Sequence, residues 1–176
     1  MDRRSLIRFG AFASLAALAA PKSLLASTGG SRTISLYNTH SLETLTTEYW
    51  VDGWYHPDAI VSLNQILRDW RTDEVTEIDF GLLDLIWQVQ QRMDVSEPIH
   101  IICGYRSPKT NARLARTNQG VARNSYHIRG QAVDIRVPGR DLRGLRETAV
   151  ALDVGGVGYY PRSDFVHIDT GPVRTW

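Results

Sequence analysis

In SYHIRGQAVDIR, residues 125–136, a histidine and an aspartate stand seven positions apart, with Gly130 between them and a strand-like run around the aspartate. Alternate residues of a strand share a face, so Ala132 sits beside Asp134 on one side of any sheet this segment joins and adds little bulk there. Gly130 permits a sharp turn between the loop that carries His127 and the strand that carries Asp134. Further on, FVHID sets Phe165, His167 and Asp169 on one strand face and Val166 and Ile168 on the other. If these two strands are neighbours, His127, Asp134 and His167 meet. Imidazole nitrogen and carboxylate oxygen are donors that zinc accepts, and a catalytic zinc keeps three protein ligands and leaves its fourth position to water. The fold must therefore join one loop and two strands that are distant in the chain.

The remaining periodicities suit such a fold. RTISLYN and TLTTEYW read as two short strands around a polar turn. From Pro57 the spacing becomes helical, with Ile60, Leu63, Leu67 and Trp70 about one turn apart. Leu82, Leu83, Ile86, Val89 and Met93 form the apolar stripe of a second helix over 80–93, where Phe80 and Trp87 are packing groups. IHIIC is a strand rich in branched residues, 108–116 a helix opened by Pro108, and TNQGVARNSYH a loop that delivers His127. The strand QAVDIRV, a helix over 142–152 and two short strands joined by PRSD complete the chain. Helices early and a small, mainly antiparallel sheet later predict a single compact α+β domain.

Residues 1–26, MDRRSLIRFGAFASLAALAAPKSLLA, lie apart from that domain. A basic start, an apolar run from Phe9 to Ala20 and small residues near Ala26 read as an export signal, and the Arg3-Arg4 pair is of the twin-arginine type. Residues 27–32 are expected to be a flexible lead-in, with the folded domain over 33–176. Removing the signal takes four of the 20 basic residues and one of the 19 acidic ones, leaving 16 against 18, a net charge of −2. With no basic stripe and an almost neutral field, nucleic acid is not an expected partner. The apolar run is too short to span a bilayer, so the membrane is met only during export or through an uncleaved signal. Cys103 is the only cysteine, so no intrachain disulfide is available and core packing, helped by a bound metal, must hold the domain.

On residue chemistry alone the histidines also have local readings. His40 lies in a polar turn, His56 precedes Pro57, and His100 lies within IHIIC. Cys103 acting as a nucleophile with His127 is a second enzyme reading, set against a thiol buried and inert in an apolar strand. A structural zinc centre closed by Asp169, inside a wall-binding module, is a non-enzymatic one.

SYHIRGQAVD resembles the S-x-H-x-x-G-x-A-x-D motif of the zinc D-alanyl-D-alanine peptidases. Together with CGYRSPKTN and GGVGYYPRSDFVHIDTGP it is similar to the exported murein endopeptidase K branch of that family, from about Ile34 to Trp176. The resemblance implies a compact α+β fold, periplasmic residence, and zinc held by His127, Asp134 and His167. The implied substrate is a peptide cross-link of peptidoglycan, favouring a diaminopimelate–diaminopimelate bond over a terminal D-alanyl-D-alanine bond, with no obligate protein partner. Arg106, in the G-Y-R-S motif, would meet a substrate carboxylate or the transition-state oxygen. Where many relatives carry glutamate in E-x-W-H, this chain has Asp164, with Val166 in place of tryptophan. Asp164 is expected as the general base, and Asp169 as the group that orients His167 or takes over the base role.

Overall fold

The computed structural model describes residues 30–118 and 120–176. The export signal expected over 1–26 and the first part of the lead-in lie outside the described residues. Strand β1 (Ser31–Asn38) pairs antiparallel with β2 (Thr44–Val51), which β3 (Trp54–Tyr55) extends. The ordered sheet thus starts two residues before the boundary expected at 33.

Helix α1 (Pro57–Ile66) places its proline in the first turn, where the missing N–H is not needed. It ends before Trp70, which the helical spacing had included. The Leu67 carbonyl is captured by the Tyr105 N–H at 2.7 Å, and Asp69 pairs with Glu74 in an isolated bridge, so the backbone groups that would continue the helix are committed elsewhere. Helix α2 (Phe80–Arg92) is capped by the Asp79 side chain, and α3 (Pro108–Thr117) by Ser107, which accepts from the Thr110 N–H at 3.2 Å. Between these helices runs β4 (Ile99–Cys103). A 3₁₀ turn over Tyr126–Arg129 precedes β5 (Ala132–Arg136), followed by α4 (Leu142–Leu152), β6 (Gly156–Tyr160), β7 (Phe165–Asp169) and β8 (Arg174–Thr175).

The strands form one eight-stranded sheet in the order β3-β2-β1-β4-β5-β7-β6-β8. Only β1 with β4 and β6 with β8 run parallel, so the α+β sheet is mixed and mainly antiparallel. The core includes Ile101, Val133, Ile135, Val166 and Ile168 from the central strands with Leu63, Leu83, Ile86 and Leu145 from the helices, all at most 1% exposed. Each such side chain contributes roughly 1.5–3 kcal/mol on burial, the main term set against chain entropy in a domain that has no disulfide to help. Among the described residues no helix is long and apolar enough to cross a membrane.

Candidate metal centre

Antiparallel pairing sets a row of residues across the middle of the sheet. Cys103 on β4 stands opposite Asp134 on β5, Asp134 opposite His167 on β7, and His167 opposite Gly158 on β6. Partners in register point to the same face, so Asp134 and His167 project together. His127 comes from the 3₁₀ turn above that face. Its turn is capped at one end by Ser125, whose hydroxyl accepts the His127 N–H at 3.3 Å, and closed at the other by Gly130 at φ 65°. A Cβ on Gly130 would also collide with the Glu77 carbonyl, so the turn requires glycine for both reasons.

Three donor atoms converge there. His127 Nε2 is 3.2 Å from His167 Nδ1 and 3.3 Å from Asp134 Oδ1, and His167 Nδ1 is 2.9 Å from the same oxygen. Three ligands around a tetrahedral zinc at its usual bond lengths stand about 3.3 Å apart. The outer nitrogens explain why the inner ones face inward. His127 Nδ1 donates to the Gly104 carbonyl at 2.8 Å, and His167 Nε2 donates to Asp169 Oδ2 at 2.9 Å. Both rings therefore turn a lone pair toward the Asp134 carboxylate, and three acceptors meeting in a buried site call for a cation. The charge balance agrees. Burial works against a charge on His127, but the Asp134 carboxylate outweighs it and raises the imidazole pKa, so without a metal the site draws a proton to the inward nitrogen, the position a cation would take. Burial likewise opposes ionisation of Asp134, yet His127 and His167 hold its carboxyl well below the usual range.

Asp169 is fully buried and completely engaged. Its Oδ1 accepts from the N–H groups of Gly156 and Gly171 and from Arg174 Nη1, and its Oδ2 from His167 Nε2 and Arg174 Nη2. Burial disfavours its charge, but the His167 and Arg174 hydrogen bonds prevail and depress its carboxyl. Arg106 is buried beside the donors, with Nη2 3.8 Å from Asp134 Oδ2, Nη1 3.3 Å from Asn111 Oδ1, and an Nε that finds no acceptor among the described residues. Asp164 is not brought into the cluster. It occupies the turn between β6 and β7 at φ 55°, its side chain 58% exposed and bound to Arg136 Nη1 at 2.6 Å.

Cys103 is buried, as its apolar strand predicts, yet it borders the centre. Its Sγ accepts from Arg106 Nη2 at 3.5 Å, and Cys103, His127 and Asp134 each offer a ligand atom within 4.8 Å of the others. The cause is the register shift between Ile101 and Cys103, which turns the end of β4 toward Asp134. Cys103 and His167 are thus rival third donors beside a shared His127–Asp134 pair. His167 has the outer carboxylate partner; among the described residues the thiol has the Gly104 carbonyl, 3.7 Å away, and the His127 ring, and no carboxylate orients it.

The family model described as Peptidoglycan L,D-endopeptidase MepK matches residues 26–176. This chain belongs to the MepK family. Relatives include the peptidoglycan L,D-endopeptidase MepK of Escherichia coli (strain K12), 40% identical over 176 residues that cover 99% of this chain and 97% of that protein. The probable peptidoglycan L,D-endopeptidase MepK of Haemophilus influenzae is 42% identical over 159 residues, 89% of this chain and 86% of that protein. The MepK match spans the donors, Arg106, Cys103 and the cleft around them, a depression of about 670 Å³ that Arg71, Tyr126, Tyr160, Phe165 and Trp176 also line. Neither Arg71 nor Trp176 carries a local sequence signal that points to this cleft. Arg71 follows the unforeseen end of α1, and Trp176 reaches the site only because β8 pairs with β6 and lays its indole 5.3 Å from the His167 ring.

Proposed function

We propose that this protein is a zinc-dependent peptidoglycan endopeptidase that hydrolyses the amide cross-link between two diaminopimelate residues, with His127, Asp134 and His167 holding the metal. The observation that carries the reading is the convergence of three inward-facing acceptors, both imidazoles backed by outer hydrogen bonds. Bound there, zinc supplies a Lewis acid for the scissile carbonyl and a water acidic enough to act near neutral pH. The relatives' names place the bond they cleave between an L and a D centre. A terminal D-alanyl-D-alanine bond joins two D centres, so the names favour the cross-link over that alternative.

The chain's own groups have separable tasks. Asp169 holds the His167 tautomer that keeps Nδ1 free for the metal. Both of its oxygens are occupied, which supports an orienting role over a fourth ligand or a proton acceptor. Arg106 lines the cleft with its Nη2 3.8 Å from Asp134 Oδ2, which supports a role for its guanidinium in donating to the carbonyl oxygen as negative charge develops there. The Arg136 pair and the exposure of Asp164 support a turn-stabilising role for that carboxylate over the base role. The basic, twin-arginine start of residues 1–26 supports export to the periplasm, where peptidoglycan lies, with 33–176 as the working domain.

Metal analysis of single variants tests the centre. H127A, D134A and H167A, dialysed free of loose metal, should each lose stoichiometric zinc. Full retention by any one of them removes that residue from the ligand set.

A further inference from the structure

We propose that Arg71 forms a second anion subsite in the cleft, which takes a free carboxylate of the substrate peptide at a distance from the scissile amide. This rests on the peptidoglycan reading and adds the group by which the cleft would select its peptide.

Arg71 is held without being used. Its guanidinium lies 4.0 Å over the Trp70 ring, whose other partner is His40, stacked at 4.1 Å with planes 16° apart. Arg71 and His40 both line the cleft. The acidic groups nearest in sequence are committed elsewhere: Asp69 accepts from the N–H groups of Arg71 and Ser107, and Asp73 is paired with Arg68 Nε at 3.1 Å. Among the described residues no carboxylate forms an ion pair with Arg71. A guanidinium pinned to an aromatic face, with its donor edge free, is preorganised for a carboxylate, because little side-chain freedom remains to be lost.

The segment carrying Arg71 is clamped to the one carrying Arg106. The Tyr105 N–H donates to the Leu67 carbonyl, the fully buried Asp69 binds the Ser107 N–H at 2.9 Å, and the Thr72 N–H closes onto the Asp69 carbonyl. Gly104 makes the clamp possible, since a Cβ there would collide with the Leu67 carbonyl. The two arginines therefore stand on backbone segments tied to each other and line the same cleft, Arg106 buried beside the donors and Arg71 half-buried. Among the described residues the cleft lining holds one side-chain carboxylate, Asp134, against the guanidiniums of Arg71, Arg106 and Arg174; Arg106 stands beside Asp134 and Arg174 is taken by Asp169. Of the three, Arg71 alone has no acidic partner among the described residues, which leaves it for a distal carboxylate.

The test compares two cross-linked diaminopimelate peptides, identical except that one carries free distal carboxylates and the other carboxamides. Turnover is measured on the zinc-loaded protein and binding by calorimetry on the metal-free protein. The wild type should prefer the free acid by about tenfold in kcat/KM, the scale of one charge-assisted contact, mostly through KM. R71Q should erase the preference, R71K retain part of it, and R71E invert it, whereas R106Q should lower kcat and leave the preference standing. Equal preference in wild type and R71Q, or a preference that vanishes in R106Q instead, overturns the assignment. If the zinc-loaded wild type cleaves neither peptide, the endopeptidase reading fails, and the calorimetric comparison of wild type with R71Q still decides for or against the subsite.

Discussion

Replacing Asp169 with asparagine changes one atom's chemistry behind His167 and should weaken zinc binding while sparing most of the fold. Asparagine's oxygen can continue to accept from the Gly156 N–H at 3.1 Å, the Gly171 N–H at 2.8 Å and Arg174 Nη1 at 3.0 Å. Its amide nitrogen would occupy the position of Oδ2, which now receives His167 Nε2 at 2.9 Å and Arg174 Nη2 at 2.7 Å. Donor would then meet donor. Arg174, with a side chain 38% exposed, can turn to water. His167 cannot, and it recovers a hydrogen bond only by moving its proton from Nε2 to Nδ1. That proton would sit on Nδ1, which is 2.9 Å from Asp134 Oδ1 and is the atom whose lone pair a metal needs. Loss of such an outer partner costs roughly 10–100-fold in metal affinity, or about 1.4–2.7 kcal/mol. The metal-free protein should lose only about 1–2 kcal/mol of stability, since most of the carboxylate's partners keep an acceptor. Competition with a chromophoric chelator reads the first quantity and denaturant unfolding of the metal-free protein the second. Zinc affinity within about threefold of wild type would refute the orienting role.

Three further outcomes follow from neighbouring contacts. D164A should keep most of the hydrolytic rate and lose at most about 1 kcal/mol of stability, as expected for an exposed ion pair; a hundredfold fall in kcat with zinc retained would restore the base assignment. C103S should retain zinc and activity, because His167 has the supported ligand geometry, and zinc loss in C103S but not in H167A would make the thiol the third ligand. Asp69 gives a pH signature: burial opposes its charge, but hydrogen bonds from Thr110, Ser107 and the Arg71 N–H hold its carboxyl below the usual value. A depressed carboxyl stabilises the fold above its unfolded pKa near 4 and loses that contribution as pH falls toward the folded value. D69N should therefore be less stable than wild type at pH 7 by about 1–3 kcal/mol, and the gap should close below about pH 4. A gap that persists unchanged at pH 3 would show that the charge is not its source.

The α+β class and most elements were legible because they depend on local pattern: Leu82 to Val89 repeats at helical spacing, and IHIIC, QAVDIRV and FVHID read as strands. The pairing of Asp134 with His167 was reachable once β5 and β7 were taken as neighbours, since one register puts both on the same face. Contacts set by tertiary structure were hidden. The end of α1 before Trp70 depends on a carbonyl claimed by Tyr105, nearly 40 residues on. Cys103 faces the centre through a shift of register that its apolar strand does not signal. Asp164 was expected as the base from a motif resemblance, whereas its left-handed turn and Arg136 direct it outward. Nothing local in the sequence marks Arg71, because its standing depends on the Trp70 ring beneath it and on Asp69 and Asp73 being engaged elsewhere.

The central claim is hydrolysis of a peptidoglycan cross-link at a zinc centre of His127, Asp134 and His167, and mass spectrometry of products from defined murein peptides tests it most directly. Zinc-loaded protein incubated with a diaminopimelate–diaminopimelate cross-linked dimer should release the two monomers by severing that single amide. A chelator should stop the reaction, added zinc should restart it, and H167A should be inactive. Release of terminal D-alanine with the cross-link intact, or cleavage that continues in H167A or after the metal is removed, would contradict the account.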